Sequence, residues 1–273
     1  MFKSAALSSA VVVGIDGSQR SVDAALWAID EAISREVPLR LVYVVEPRTH
    51  SAFDDELAAR DTACAEVSVR RTVAAVEATG RPVKVEWEVL QGEPITALLS
   101  AARSAELLCI GSLGIAHAIG QRFGSTAAAM STAALCPVAI VRGGRRWSTE
   151  PQHVVVEVDE SPNGIAVLEA AIAEARLRDA PLTVLTSGQP EPAGACLDKR
   201  LAQYRTSHPD IDFHPVAVRG STMNYVDRHA DSIQLLVVGR HRGRGIGELG
   251  GSAQAVRGQL NCSVLVYPNH FHL

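Results

Sequence analysis

The chain contains two copies of one pattern. The segment VVVGIDGSQRSVDAALWAIDEA begins at Val11, and a related segment, VVVEVDESPNGIAVLEAAIAEA, begins at Val154, 143 residues later. Matches farther along the chain, such as Gly111 with Gly239, fall at an offset of 128, so the second copy lacks fifteen residues between its second and third strands. Self-similarity of this kind indicates a tandem duplication.

Each copy alternates short apolar runs with segments of helical periodicity. That order, β-α-β-α-β-α-β-α-β, predicts a parallel sheet with helices on both faces and right-handed crossovers. The join between the copies falls near the segment RGGRRWSTEP, so we divide the chain into domains 1–145 and 146–273. In the first copy the strands are predicted at Val11–Ile15, Leu39–Val45, Val83–Leu90, Leu107–Ile110 and Val138–Val141.

Composition excludes several classes of protein. Hydrophobic residues make up 47% of the 273 residues, which is enough for real cores, and charged residues make up 21% with a net charge of -4. That balance excludes a disordered acidic tail and argues against a nucleic-acid-binding protein, which would carry a basic patch. No apolar run reaches the roughly 18 residues that a membrane helix needs, so we expect a cytoplasmic protein without a membrane partner.

The chain has five cysteines and no C-x-x-C motif. An odd number without such a motif favours buried, reduced thiols over a redox function. The cysteines are Cys64, Cys109, Cys136, Cys196 and Cys262.

Two loops are candidates for a ligand site. Parallel α/β sheets bind ligands beyond the carboxyl ends of their strands, where the strand order reverses. If the first and fourth strands are neighbours, the DGSQ loop after the first meets the stretch IGSLGIAHAIGQRFGSTAAA, which begins at Ile110 in the fourth. Glycines there permit close approach of a phosphate, and a helix start supplies N–H donors. By spacing alone, a phosphate loop and a plain flexible connection remain equally good interpretations.

Other nucleotide-binding loops fit poorly. The chain has no G-x-x-x-x-G-K-[ST] motif, and the sequence Gly14-Ile-Asp-Gly17 after the first strand is not G-x-G-x-x-G. Asp16, at the end of that strand, can accept a hydrogen bond from a ribose hydroxyl or hold Mg²⁺ through water.

The motifs of the first copy, taken together, resemble those of the universal stress proteins. They are the opening VVVGIDGS, then GSLG, nine residues and GST, followed by CPVAIVR. The resemblance covers nearly the whole chain, in the tandem two-domain form of that family. It implies an α/β protein of two tandem flavodoxin-like (adenine nucleotide alpha hydrolase-like) domains, each with a five-stranded parallel sheet. In many members of the family this domain binds ATP.

The resemblance also implies which residues of the first copy hold ATP, with or without Mg²⁺. Val44, at the end of the second strand, would meet the adenine, and Asp16 lies in the loop after the first strand with Gly17 and Ser18 beside it. Arg122 either reaches the phosphates or is a solvated loop arginine. The residues that would hold the ribose and phosphates are Gly111, Gly114, Gly124, Ser125 and Thr126.

The second copy departs from this signature. Glutamates replace two glycines near the end of its first strand, which adds carboxylates where phosphate charge would lie. We therefore predict that the first copy binds ATP and that the second binds it weakly or not at all. The departures are Glu157 for Gly14, Glu160 for Gly17, Ser187 for Val44, and Arg242 at the second glycine position of the loop.

No catalytic set emerges from the sequence. The nine histidines are scattered, and no Ser/His/Asp spacing suggests a nucleophile. His270 and His272 form an H-x-H that either binds a metal or is a frayed tail, and we assign no metal site. In the absence of a catalytic set, we expect at most slow ATP hydrolysis. Two functions remain, a nucleotide-dependent regulator in stress response or dormancy and a nucleotide-independent scaffold, and the glycine signature favours the first.

The last strand of each copy indicates how the chain assembles. The segments PVAIVRG and SVLVYPN are apolar and are expected at sheet edges, which invite pairing. The resemblance implies that the two copies pair with each other there, and we also expect a homodimer.

Overall fold

The computed structural model describes residues 9–47, 52–112, 124–143, 152–158, 162–187, 193–218, 222–240 and 262–268. The chain divides into two units, Met1–Gly144 and Arg145–Leu273. Along the described residues, no helix combines the length and the apolar character that crossing a membrane requires.

Strands and helices alternate through the first unit. Its strands are β1 (Val11–Ile15), β2 (Leu39–Val45), β3 (Val85–Gln91), β4 (Leu107–Gly111) and β5 (Val138–Val141). Its helices are α1 (Gln19–Ser34), α2 (Ala52–Glu77), α3 (Pro94–Ala101) and α4 (Ser125–Ala133). The predicted bounds of β1, β2 and β5 are confirmed, whereas β3 begins two residues later than expected because Val83 donates its N–H to the Arg81 carbonyl in a turn.

The sheet of the first unit has the order β3-β2-β1-β4-β5, and its pairs are parallel. β1 lies between β2 and β4, with Val11 opposite Leu39 on one side and Val13 opposite Cys109 on the other. The first and fourth strands are therefore neighbours, which is the condition under which the two candidate loops meet. The strand order reverses between β1 and β4, which is where such sheets bind ligands.

The core of the first unit lies along both faces of this sheet. Buried parallel strands read as continuous apolar runs, because both faces are covered by helices. α2 contributes a stripe of buried residues at helical spacing, Ala65, Val69, Thr72 and Val76. The central strands supply the side chains that solvent does not reach, Val11, Val12, Val13, Leu39, Leu41, Val42, Leu107, Leu108 and Cys109.

The second unit repeats this architecture within itself. Its strands are β6 (His153–Val158), β7 (Leu182–Ser187), β8 (Phe213–Val218), β9 (Ile233–Gly239) and β10 (Ser263–Tyr267). Its helices are α5 (Pro162–Leu177), α6 (Ala193–Ser207) and α7 (Thr222–Arg228). The order is β8-β7-β6-β9-β10, again with parallel pairs, so the predicted α/β fold is confirmed. The missing fifteen residues shorten the second helix, which has 26 residues in α2 and 15 in α6.

The first helix of each unit ends in the same way. The Val37 N–H donates to the Ala32 carbonyl at 3.1 Å, and Glu36 adopts a φ of 56°. In α5 the Ala180 N–H donates to the Ala175 carbonyl at 3.0 Å, and Asp179 adopts a φ of 47°. This is a Schellman motif with a non-glycine residue at its left-handed position.

None of the described cysteines forms a disulfide bond. Cys109, Cys136 and Cys262 are buried, as predicted, but Cys64 is exposed on α2. The side chain of Cys196 lies outside the described residues.

Candidate functional site

The loop after β1 is held by hydrogen bonds between its own residues. One Asp16 carboxylate oxygen accepts from the Ser18 N–H at 2.9 Å, which is an Asx turn. Ser18 caps α1, because its hydroxyl oxygen accepts from the Ser21 N–H at 3.1 Å. Gly17 has a φ of 83°, a conformation that favours glycine. Three of the predicted site residues, Asp16, Gly17 and Ser18, therefore form one capped turn at the end of β1.

A second helix also holds this turn. One guanidinium nitrogen of Arg71, on α2, donates to the Gly17 carbonyl at 2.9 Å and lies 3.5 Å from the Ser18 carbonyl. Sequence reasoning missed Arg71, because an exposed arginine on a helix, 54 residues from its partner, carries no local signal. The contact connects the candidate site to α2.

Tyr43 and Val44 lie next to each other on β2 and face opposite sides of the sheet. Burial, followed by the charge of Asp16 and the nearby Cys64 and Asp61, raises the pKa of Tyr43 above its ordinary value. Cys64 and Asp61 belong to α2, so Tyr43 faces that helix.

Val44 faces the side of the sheet that α3 covers. Gly14 pairs with Val42 and shares its face, and a Cβ at Gly14 would lie 3.4 Å from the Leu98 side chain of α3. Val44 follows Val42 by two residues, so it lies on this same face, where it is half-buried. An apolar, half-buried position at the end of a strand is suited to an aromatic base.

Gly111, the last residue of β4, packs directly against α1. A Cβ at this position would lie 2.9 Å from the backbone carbonyl carbon of Arg20. In the second unit, a Cβ at Gly239 would lie 2.8 Å from the Asn163 side-chain nitrogen. Close packing against the backbone of α1 therefore explains Gly111, whether or not a ligand binds, whereas the atom nearest to Gly239 is the end of a side chain that can move.

Arg20 connects the same region to the end of β5. Its guanidinium donates to the Gly143 carbonyl at 2.5 Å and lies 3.9 Å from the Asp23 carboxylate. Any Cβ at Gly143 would overlap Asp23. Sequence reasoning placed Gly143 at the join between the copies, and only its position beside α1 reveals that a glycine is needed there.

α4 begins on the other side of the β1–β4 boundary. Gly124 is its N-cap, with φ -68° and ψ 161° and no side-chain cap. Its N–H donates to the Ser112 carbonyl at 2.9 Å, so the first-turn donors of α4 are those of Ser125 and Thr126 rather than that of Gly124. Ser125 is exposed and Thr126 is half-buried.

The rest of the predicted glycine loop, including Gly114 and Arg122, lies outside the described residues. So do Glu160 and Arg242 of the second copy and the Ser187 side chain. Of the predicted site, the structure brings together Asp16, Gly17, Ser18 and Gly111. Val44, Gly124, Ser125 and Thr126 belong to the same end of the same sheet.

The second unit carries a carboxylate where the first has Gly14. Glu157 accepts a hydrogen bond from the Thr222 hydroxyl at 2.7 Å, so it is turned toward the start of α7. It is half-buried on the face that corresponds to that of Val44. Among the described residues, no group of three or more His, Cys, Asp or Glu side chains is arranged to hold a metal ion.

Comparison with known proteins agrees with this architecture. The family model described as the universal stress protein family matches residues 9–142. The universal stress protein Rv2028c of Mycobacterium tuberculosis is 41% identical over 264 residues, which cover 94% of this chain and 95% of that protein. A second protein of that organism, the universal stress protein Rv2624c, is 39% identical over 94% of this chain and 95% of its own.

A solved structure shares the fold. The crystal structure of a universal stress protein from Archaeoglobus fulgidus superposes with a TM-score of 0.73 and 16% identity, covering 95% of this chain and 96% of its own. The identity of the mycobacterial proteins over nearly the full length, together with the strand order and the motifs of the first unit, establishes the relationship. The chain belongs to the universal stress protein family.

Proposed function

We propose that the first unit binds an adenine nucleotide, with ATP as the ligand, beyond the carboxyl ends of β1, β2 and β4. One observation carries the proposal. The adjacency of β1 and β4 at the reversal of strand order brings the Asp16–Ser18 turn beside Gly111. This is the position at which parallel α/β sheets bind nucleotides.

Each part of the nucleotide has a suitable partner in this proposal. The adenine lies against Val44, and Asp16 accepts from a ribose hydroxyl or holds Mg²⁺ through water. The phosphates lie at the start of α4, where the N–H groups and hydroxyls of Ser125 and Thr126 are donors and the helix dipole favours negative charge. Gly114, which lies outside the described residues, would also contact the ribose or phosphates.

The second unit, in this proposal, binds nucleotide weakly or not at all. Glu157 is half-buried on the face where the base and ribose would lie, and its carboxylate already accepts from Thr222. A carboxylate this close to a negatively charged nucleotide adds repulsion.

The occupied first unit would act as a nucleotide-dependent regulator in stress response or dormancy in the cytoplasm. We propose that the copies pair through β5 and β10, which are apolar and stand at one end of the strand order of their own unit. We further propose a homodimer, which light scattering would reveal.

The test compares two matched glycines. A fluorescent ATP analogue is titrated into the wild-type chain, into Gly124→Glu and into Gly251→Glu, the corresponding position of the second copy. Gly124 has an ordinary φ, and a carboxylate at a helix N-terminus is favourable, so the first variant should fold while repelling phosphate. We expect Gly124→Glu to lose binding and Gly251→Glu to keep it.

Equal binding by all three proteins would overturn the assignment of the site. Absence of binding by the wild type, with no nucleotide found by mass spectrometry after heat denaturation, would favour the nucleotide-independent scaffold.

A further inference from the structure

Three charged side chains lie side by side at the amino-terminal ends of β2 and β3 in the first unit. Lys84 Nζ lies 2.8 Å from one Glu86 carboxylate oxygen, and an Arg40 guanidinium nitrogen lies 3.4 Å from the other. The hydrogen bond from Lys84 is the main reason that the pKa of Glu86 is below its ordinary value. Side chains of these three residue types ordinarily keep their charge between pH 5 and 8.

Titratable groups replace this row in the second unit. The offset of 128 places Asp212 and His214 where the first copy has Lys84 and Glu86. The offset of 143 places Thr183 at Arg40 and His153 at Ala10. We call His153, Thr183, Asp212 and His214 the histidine cluster.

The members of the histidine cluster are in contact. His153 Nδ1 lies 3.0 Å from the Thr183 hydroxyl oxygen, and His214 Nε2 lies 2.9 Å from an Asp212 carboxylate oxygen. The two imidazole rings have their centroids 5.6 Å apart. One carboxylate therefore stands beside two groups that can each take up a proton.

The cluster joins the amino-terminal ends of three adjacent strands. His153 opens β6, the central strand of the unit, and its N–H donates to the Ser232 carbonyl at 2.7 Å. Thr183 and His214 are paired residues of β7 and β8. The pairing of β6 with β9 shifts register between His153 and Val154, so the ladder is already irregular at this point.

A proton on each histidine has a different consequence. Protonated His214 forms an ion pair with Asp212, whereas a proton on His153 faces that new positive charge. Thr183, from β7, and Ser232, Ile233 and Gln234, from the β9 side, carry no charge, and Asp231 precedes them in the turn.

Burial, and then the charge of His214, lowers the pKa of His153 below its ordinary value, with Asp212 opposing. The unfolded chain therefore takes up a proton at His153 more readily than the folded chain does. The stability that neutral His153 contributes is complete above its ordinary pKa of about 6.5 and is lost as the pH falls below it.

We propose that the histidine cluster is a proton-sensitive element. In acid it weakens the hydrogen bonding at the amino-terminal ends of β6, β7 and β8, while the corresponding ends of β1, β2 and β3 keep theirs. When both histidines are protonated, their positive charges repel each other at the amino-terminal ends of the three strands. The proposal does not depend on nucleotide binding.

Hydrogen–deuterium exchange of the full-length chain tests it. Exchange is measured at neutral pH and near pH 5.5 and corrected for the intrinsic rate at each pH. The peptides compared cover residues 152–158, 182–187 and 213–218 of the second unit and 11–15, 39–45 and 85–91 of the first. We expect the corrected exchange of the second-unit peptides to be several-fold faster in acid, and that of the first-unit peptides to be unchanged.

Three variants separate the cluster from a general effect of acid. His153→Gln removes the buried ionisable group and should abolish most of the acid-induced change, whereas His214→Gln removes only the lesser cause, the repelling charge, and should reduce the change in part. His229→Gln is the control, because His229 stacks on Tyr225 outside the cluster, and it should behave as the wild type does. An unchanged acid response in both cluster variants, or an equal response of the first unit, would overturn the proposal.

Discussion

The carboxylate of Glu31, which solvent does not reach, lies 2.5 Å from the guanidinium of Arg35 one helical turn later. The second unit contains the same pair at an offset of 143, in which Glu174 is nearly as buried and contacts Arg178. A buried carboxylate that loses a charged partner keeps its desolvation cost and loses part of the compensating charge.

Removing the arginine should therefore destabilise the first unit. Breaking a buried pair from one side costs about 3–5 kcal/mol, and the Arg35 side chain is 29% exposed, so we expect Arg35→Ala to cost roughly 2–3 kcal/mol. The measurement is urea unfolding at neutral pH. The matched control is Arg60→Ala, which breaks an exposed pair of the same spacing with Glu56 and should cost below about 1 kcal/mol. Equal losses in the two variants would contradict the assignment.

The left-handed residues that end α1 and α5 offer a stabilising substitution. Glu36→Gly and Asp179→Gly should each raise the free energy of unfolding by roughly 0.5–1 kcal/mol, because relief of the left-handed conformation exceeds the entropy that glycine costs. Gly80 provides the reverse test. It has a φ of 65°, and a Cβ at this position would meet no atom within 4 Å, so Gly80→Ala should destabilise through backbone strain alone. Thermal unfolding of the three variants measures whether each substitution stabilises or destabilises the folded protein.

Tyr43 should report on the charge of Asp16. Asp16→Asn removes one cause of the raised pKa of Tyr43, so the phenol should ionise at a lower pH than in the wild type. Burial is the larger cause, and the pKa should therefore stay above its ordinary value of about 10. The neutral phenol stabilises the folded state below pH 10, and that contribution is lost as the pH rises above it.

Ultraviolet titration of the phenolate checks this, with Tyr43→Phe subtracted to isolate the one tyrosine. A pKa that does not move in Asp16→Asn would show that the carboxylate is not near the phenol.

Arg71 should affect nucleotide affinity through the turn it holds. Arg71→Gln removes a charged donor to the Gly17 carbonyl and should weaken binding of the ATP analogue about two- to fivefold, since hydrogen bonds from exposed groups contribute little. Arg71→Lys should recover part of the affinity. Arg70→Gln is the neighbouring control, because Arg70 pairs with Glu66 on the exposed surface of the same helix.

A loss of the same size in Arg70→Gln would indicate a general effect of charge on α2. No loss in Arg71→Gln would show that Asp16, Gly17 and Ser18 hold their conformation without the arginine.

Much of the fold follows from sequence because its signals are local. The apolar runs at Val11 and Leu39, and the helical spacing between them, specify strand, helix and strand without reference to the rest of the chain. A helix cap is also recognisable, since caps prefer serine, although the sequence offers both Ser18 and Ser21. The duplication adds the parallel order of the second unit.

The remaining features depend on residues far apart in sequence. Arg71 meets Gly17 only because α2 packs beside α1, and Gly111 needs its glycine because of Arg20. The buried Glu31 breaks the expectation that a charged helical residue faces solvent. Such features arise when the elements assemble, and the pattern within any one element does not contain them.

The backbone hydrogen bond from the Gly124 N–H to the Ser112 carbonyl has a consequence for engineering. It joins the end of β4 directly to the start of α4, on either side of residues 113–123. Changing the length of such a connection costs little, about 0.6 kcal/mol for each doubling. We therefore expect that residues 113–123 can be exchanged for another segment without loss of the fold. Replacing them with segments of other lengths and charges should alter what the first unit recognises while leaving its melting behaviour nearly constant.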